Sequence, residues 1–182
     1  LKPSMYQKWK AAGAPEQILQ WIQEGGYKVR VTDEGRGLFF KNGSCAREHE
    51  AELAVLVCEL LMKESWEVVS ERVLRQTGNI LPMNLAPKPS KDPPWRIVNN
   101  CMKLNEHVQK WRTRYESLKT LGIMIEKDSW IFSIDLEDAY YSFLLHPDSR
   151  SIFGAKAKLK KEQLERLKAA GLWPAGRSTE DQ

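Results

Sequence analysis

The chain has 182 residues, 42% of them hydrophobic and 29% charged, which suits one ordinary folded domain or two small ones and excludes a disordered polymer. Its 28 Lys and Arg against 24 Asp and Glu leave a formal charge of +4, permitting a polyanionic partner without demanding one. The longest apolar run, residues 53–62, is interrupted by Glu59 and is too short to cross a bilayer, so no membrane partner is expected.

Cys45, Cys58 and Cys101 are odd in number and never fall in a Cys-x-x-Cys. Neither a disulfide framework nor a cysteine-rich zinc site is expected, which favours a reducing, intracellular setting. The first residue is Leu1, so a start set by processing or truncation is expected, and no secretory signal is visible.

The first predicted helix opens at Pro15 and closes before Gly25-Gly26, with Ile18, Leu19, Trp21 and Ile22 forming a wide apolar face. Residues 35–43 read as a loop. A second helix is predicted from Ser44, as N-cap, to about Lys63, with Leu53, Leu56, Val57, Leu60 and Leu61 at helical spacing. From Asn79 onward Pro82, Pro87, Pro89, Pro93 and Pro94 impose extended chain and turns. Trp95-Arg96-Ile97-Val98 reads as a strand, and Ser90-Lys91-Asp92-Pro93-Pro94 as the tip of a hairpin that Lys88 flanks. Residues 114–126 read as helix and Trp130 to Asp135 as a buried strand ending in a carboxylate; residues 140–145 read as a helical turn and strand up to His146-Pro147.

Residues 156–168 carry six basic and two acidic side chains with Leu159, Leu164 and Leu167 on a narrow stripe, predicting a basic amphipathic helix with a free end, closed by Gly171 and Pro174. Two readings stay open for it: a solvated helix docked by its leucines, or a surface for nucleic acid or a partner. The organisation expected is a helical N-terminal region (1–78), a central region (79–154) and a basic helix with a polar tail (155–182), α+β in class.

The chemistry concentrates in Phe132-Ser133-Ile134-Asp135-Leu136-Glu137-Asp138-Ala139-Tyr140-Tyr141. A strand that delivers an Asp at its end supplies the hard oxygen ligand a Mg²⁺ phosphoryl-transfer site needs, although many strands end in a capping Asp. His49, His107 and His146 share no metal-ligand spacing, and Gly35-Arg36-Gly37 lacks the Gly-Lys-Ser/Thr of a phosphate loop.

Around that strand, short words follow in order. Asn84-Leu85-Ala86-Pro87-Lys88-Pro89, Trp95-Arg96-Ile97-Val98-Asn99-Asn100, Leu104-Asn105 and Tyr115-Glu116-Ser117-Leu118 precede Asp135; His146-Pro147, Ser149-Arg150 and Phe153-Gly154 follow it. Together they resemble the fingers and first palm motif of reverse transcriptases, most closely those of the DIRS-type tyrosine-recombinase retrotransposons. Trp9, Gly13-Ala14, Ile18-Leu19, Gly26-Tyr27, Asn42, Ser44, His49 and Glu59-Leu60-Leu61 fit the same group.

The resemblance implies a partial right-hand polymerase fold, fingers plus the start of a palm. It assigns Asp135 as the first metal-binding carboxylate, Leu136 as the backbone carbonyl facing the Mg²⁺ ions, and Tyr140 as the aromatic that excludes a ribose 2′-hydroxyl. Lys88 and Arg96 become the fingers cations that close on a triphosphate, with Arg suited to paired phosphate contacts. Tyr140 and Tyr141 as core aromatics, and Arg96 as a salt-bridged strand residue, remain the plain alternatives.

The sequence holds no Tyr-x-Asp-Asp, and after Gly154 it turns into the basic segment. One carboxylate does not hold two Mg²⁺ ions, so the chain as given is expected not to polymerise DNA and to need no cofactor. Between Met83 and Lys127 nine basic residues, among them Lys110, Arg112 and Arg114, face four acidic ones and interleave with Trp95, Trp111 and Tyr115, a mixture suited to phosphate contact and base stacking.

The expectation is a non-catalytic, reverse-transcriptase-derived, RNA-binding component of a larger assembly, such as a mitochondrial ribonucleoprotein. The alternatives are part of an active, Mg²⁺-dependent RNA-directed DNA polymerase of a nuclear or cytoplasmic element, working on RNA or RNA/DNA, and a purely protein-binding module. A palm sheet short of strands leaves Trp130, Phe132 and Ile134 to bury against a protein partner or the C-terminal helix.

Overall fold

The computed structural model describes residues 3–90, 92–110, 117–130, 135 and 144–174. Among them the chain is α+β: mostly short helices around one two-stranded antiparallel sheet. No described helix is long and apolar enough to cross a membrane.

Helix α1 (Pro3–Ala11) precedes the first predicted helix and was missed for want of a strong apolar stripe. Helix α2 (Glu16–Gln23) forms where expected, with Pro15 at its N-cap and Leu19 and Ile22 buried. It stops because Gly26 turns the chain at φ +136°, where a Cβ would strike the Leu144 carbonyl oxygen. That close approach lets Tyr27 pair with Leu145 in a parallel bridge, the Tyr27 N–H donating to Leu144 O at 2.8 Å.

The single helix predicted from Ser44 is two. Helix α3 (Ser44–Glu48) and helix α4 (Glu50–Met62) break at His49, whose ring packs against Trp95 at 4.7 Å between centroids. Ser44 is not the cap: Gly43 holds the N-cap position, and Asn84 Oδ1, from a distant strand, accepts the Ala46 N–H at 3.3 Å. Helix α5 (Glu71–Thr77) went unpredicted although Ser70 caps it, its side chain accepting the Val73 N–H.

Strands β1 (Met83–Pro87) and β2 (Trp95–Asn99) confirm the predicted hairpin. Helix α6 (Met102–Asn105) buries Leu104, and helix α7 (Leu118–Met124) lies within the predicted 114–126 helix. Of the strand predicted over 130–135, residues 131–134 lie outside the described residues, as do 140–143. Trp130 is 100% exposed, so within the chain neither the expected strand nor the C-terminal helix buries it. Helix α8 (Pro147–Arg150) is capped by His146, whose Nδ1 accepts the Asp148 N–H, and a 3₁₀ turn (Ser151–Phe153) follows.

The basic helix expected over 156–168 is also corrected. Residues 155–160 are not helical, with Gly154 and Lys160 in extended conformation, and helix α9 runs only over Lys161–Ala169. The reason is readable in Ala155-Lys156-Ala157-Lys158-Leu159-Lys160, whose apolar period is two, not 3.6. The end is not free either. Leu167 is buried in the core beside Leu53, Leu56, Val57, Cys58 and Leu61 of α4 and Met83 and Leu85 of β1, with Ala155, Ala157, Leu159, Leu172 and Trp173 packed around it. Arg166 lies near Cys58 and Lys160 near Glu52, so α9 follows α4 in the same sense. Residues from all three sequence regions thus meet in one core. A second cluster joins Leu81, Leu104 and Ile152.

Candidate nucleic-acid interface

The hairpin's register decides what its side chains can do. Asn84 pairs with Val98 and Ala86 with Arg96, and the Lys88 N–H donates to the Pro94 carbonyl at 2.9 Å. Side chains alternate across a pleated strand. Met83, Leu85, Trp95 and Ile97 therefore share the face turned to α3 and α4, where all four pack into the core cluster. Ala86, Lys88, Arg96 and Val98 share the other. Lys88 and Arg96 are diagonal neighbours there, a separation of about 7–8 Å between backbones.

Both cations are exposed, and neither makes an ion pair or side-chain hydrogen bond among the described residues. Other basic groups are committed. Lys28 pairs with Asp148 at 2.7 Å, Arg150 with Glu67 at 3.0 Å, Lys156 and Arg75 with Glu71 at 2.5 and 2.6 Å, and Lys103 with Glu106 at 3.1 Å. Lys156 first and Arg75 second hold the Glu71 carboxyl below the usual range, and Lys28 does the same to Asp148. The plain reading of Arg96 as a salt-bridged residue finds no partner among the described residues.

Lys110 is exposed and lies elsewhere, beyond the Val31–Val108 bridge. Asp135 is exposed, and the described residues include no group of three His, Cys, Asp or Glu arranged to hold a metal. Leu136, Tyr140, Arg112 and Arg114 lie outside the described residues, so the structure brings together only Lys88 and Arg96 of the expected site. Burial raises the thiols of Cys58 and Cys101, keeping them protonated and poor nucleophiles.

The tip of the hairpin makes a feature that the motifs did not signal. Asp92 and Pro93, with Ala51, Glu52 and Val55 of α4 and Lys160, line a shallow, open depression. The Glu52 carboxyl is held below its usual range, chiefly by its own backbone N–H in the first turn of α4; burial opposes this next, and the His49 side chain and the charges of His49 and Lys160 add to the lowering. The period of two in residues 155–160 was the available signal: it turns Lys156, Lys158 and Lys160 outward and Ala155, Ala157 and Leu159 inward. Lys160 is the basic residue that lines the depression, against the carboxylates of Glu52 and Asp92.

The fold and these surfaces define an α+β protein with a cationic hairpin face. No family model, curated protein or solved structure matches the chain.

Proposed function

We propose that this chain is a reverse-transcriptase-derived, fingers-like protein that binds RNA as a non-catalytic component of a larger assembly, such as an organellar ribonucleoprotein in a reducing compartment. The observation that carries the reading is the shared solvent face of Lys88 and Arg96. Two long cations placed side by side with no acidic partner among the described residues suit phosphate oxygens, which Arg grips in pairs and Lys meets as a point charge. The full exposure of Trp130 and the 84% exposure of Ile123 support a protein partner over α7 and the turn that follows it. Asp135, the backbone of Leu136 and Tyr140 are the residues that a complete palm with Mg²⁺ would use; in this reading they are remnants.

The test is binding of a fluorescent single-stranded RNA by anisotropy, as a function of salt, for the natural chain and for Lys88→Gln/Arg96→Gln. Losing two phosphate contacts flattens the log affinity against log salt slope by about 1.4, at about 0.7 per contact. An unchanged slope overturns the reading, and template-dependent primer extension with Mg²⁺ overturns its non-catalytic part in favour of an active RNA-directed DNA polymerase.

A further inference from the structure

The two edges of the hairpin differ. The outer edge of β1 is closed at its start, where Asn42 Oδ1 accepts the Met83 N–H at 3.1 Å and the Gly43 N–H donates to the Met83 carbonyl at 2.8 Å. Along β2 the register fixes which peptide groups are free. The Lys88 N–H donates to the Pro94 carbonyl and the Asn100 N–H to the Pro82 carbonyl, and bonded pairs alternate along an antiparallel ladder. Residues 94, 96, 98 and 100 therefore turn their peptide groups to β1, and Trp95, Ile97 and Asn99 turn theirs outward. Two groups at the ends of this edge are already committed: the Trp95 N–H donates to the Pro93 carbonyl at 2.7 Å, and the Cys101 carbonyl accepts the Asn105 N–H at 2.8 Å. Among the described residues no other backbone bond engages the Trp95 carbonyl, both groups of Ile97 and Asn99, or the Cys101 N–H. The edge also lacks the usual guards, since residues 95–99 hold no proline and no lysine and their register runs without a bulge.

The groups left free are complementary to themselves. When β2 lies antiparallel to a second β2 about a two-fold axis at Val98, Ile97 stands opposite the partner's Asn99 and exchanges both bonds with it. Trp95 stands opposite the partner's Cys101, and its carbonyl meets that N–H. The second bond of this outer pair would need the Trp95 N–H and the Cys101 carbonyl, the two groups already bonded within the chain. The side chains agree. Val98, 41% exposed, meets its own copy across the axis, and Arg96 faces the partner's uncharged Asn100. The two Arg96 positions are about 14 Å apart, beyond the Debye length of about 8 Å at physiological salt. The two Trp95 rings, each packed on His49 at the start of α4, stem from positions about 20 Å apart along the strands, which separates the two α4 N-termini. An acidic strand from another protein would suit Arg96, but only a second copy matches the committed ends of the edge by symmetry.

We infer that β2 pairs edge to edge with the β2 of a second copy, making a four-stranded antiparallel sheet about a two-fold axis at Val98. The open faces join in this pair, so both Lys88–Arg96 pairs stand on one surface. The contact is between proteins and does not depend on RNA binding.

The test is sedimentation velocity of the natural chain, without RNA, between about 1 and 200 µM, because a short strand pairing is a small interface that forms reversibly at micromolar concentration. A concentration-dependent dimer is expected. Val98→Lys sets like charges opposite each other on the axis, and Asn99→Pro removes an outward N–H that β1 does not use. Both are expected to sediment as monomer across the range, with melting curves confirming that they fold. Val98→Cys reads the same contact by gain. Its two Cα atoms lie about 4.5 Å apart in the pair, within disulfide reach, so mild oxidation is expected to give a covalent dimer. Arg96→Cys, at about 14 Å, and the natural chain with its own three cysteines are expected to give none.

A chain that is monomeric throughout, with no covalent Val98→Cys dimer, overturns the inference. So does a dimer that persists in both Val98→Lys and Asn99→Pro, or cross-linking through Arg96→Cys in place of Val98→Cys. A monomer that instead binds a synthetic acidic strand peptide, and loses it in Asn99→Pro, assigns the edge to a different protein and overturns the second copy. None of these outcomes touches the RNA-binding reading, which its own salt-slope test decides.

Discussion

Asn79 gives the sharpest test of how this fold is held. It is 0% exposed, and its amide makes three hydrogen bonds to segments far apart in sequence. Oδ1 accepts the Leu38 N–H, while Nδ2 donates to the carbonyls of Gly35 and Ile152, each at 3.0 Å. Replacing it with Ala leaves one N–H and two carbonyls without that partner in a buried place, at about 1–3 kcal/mol for each group that finds no other. A total of roughly 3–5 kcal/mol follows, a large part of the 5–15 kcal/mol of a typical domain.

Asn79→Asp is expected to be worse than Ala at neutral pH, because a carboxylate oxygen then faces two carbonyl oxygens. Burial and those carbonyls raise the folded pKa of the introduced carboxyl above its unfolded value of about 3.9. The penalty is therefore full above the folded pKa and is relieved as pH falls toward the unfolded one. Urea unfolding followed by tryptophan fluorescence measures all three chains, Trp66 and Trp173 being packed at the core. A loss under about 1 kcal/mol for Ala, below the cost of even one unmet buried group, or an Asp variant that is no worse at neutral pH, refutes the reasoning.

Three further outcomes follow from the packing and the charges. Leu167→Ala, at a fully buried site of α9, is expected to cost about 2–5 kcal/mol in urea unfolding and to open α9 to limited proteolysis; a neutral effect would mean that α9 is not part of the core. Gly78→Ala places a Cβ against the Ser151 carbonyl and is expected to cost about 1–3 kcal/mol. Gly122→Ala, in α7 with nothing within 4 Å of the new Cβ, is expected to be neutral or stabilising by up to about 1 kcal/mol, and the same cost at both sites would contradict this. The lowered carboxyls of Glu71 and Asp148 lend stability that is present above their unfolded values, about 4.3 and 3.9, and is lost as pH falls through the lower folded ones. Urea midpoints are expected to drop below about pH 4.5, less steeply in Lys156→Gln and in high salt.

What the sequence disclosed divides by physical cause. Helix α2 and the hairpin were legible because local signals settle them: Pro15, Gly25-Gly26 and an apolar face in one case, prolines around an alternating strand in the other. The break at His49 was not legible, since it depends on Trp95 stacking and on Asn84 capping α3 from a strand 38 residues away. Residues 155–160 were misread although their period of two was in plain view, because the density of lysines suggested a helix. The pairing of Lys88 with Arg96 on one face was latent in the hairpin and needed only its register. The depression was not foreseeable, because Glu52, Asp92 and Lys160 come from three elements that meet only in the folded chain.

The residues on which the proposed reverse-transcriptase origin rests sort into two kinds once each has a structural task. Gly26 lets the chain pass Leu144. Asn42 spans the Met83 N–H and the Lys156 carbonyl, and Asn84 caps α3. Ser149, buried, accepts the Val29 N–H, and Gly154 leaves room for the Asn79 carbonyl and Leu74. All five act as ties between distant segments, and fold alone is sufficient reason for them. Lys88 and Arg96 stand apart, both extended into solvent from a face whose reverse side does the packing. A structural reason would need a partner group, and the described residues supply none. Replacing these two should therefore leave the melting temperature nearly unmoved while changing RNA binding, and replacing any of the five ties should do the reverse first. A hairpin double variant that melts several degrees lower would show that the two cations serve the fold, and the argument for a phosphate-binding face would go with them.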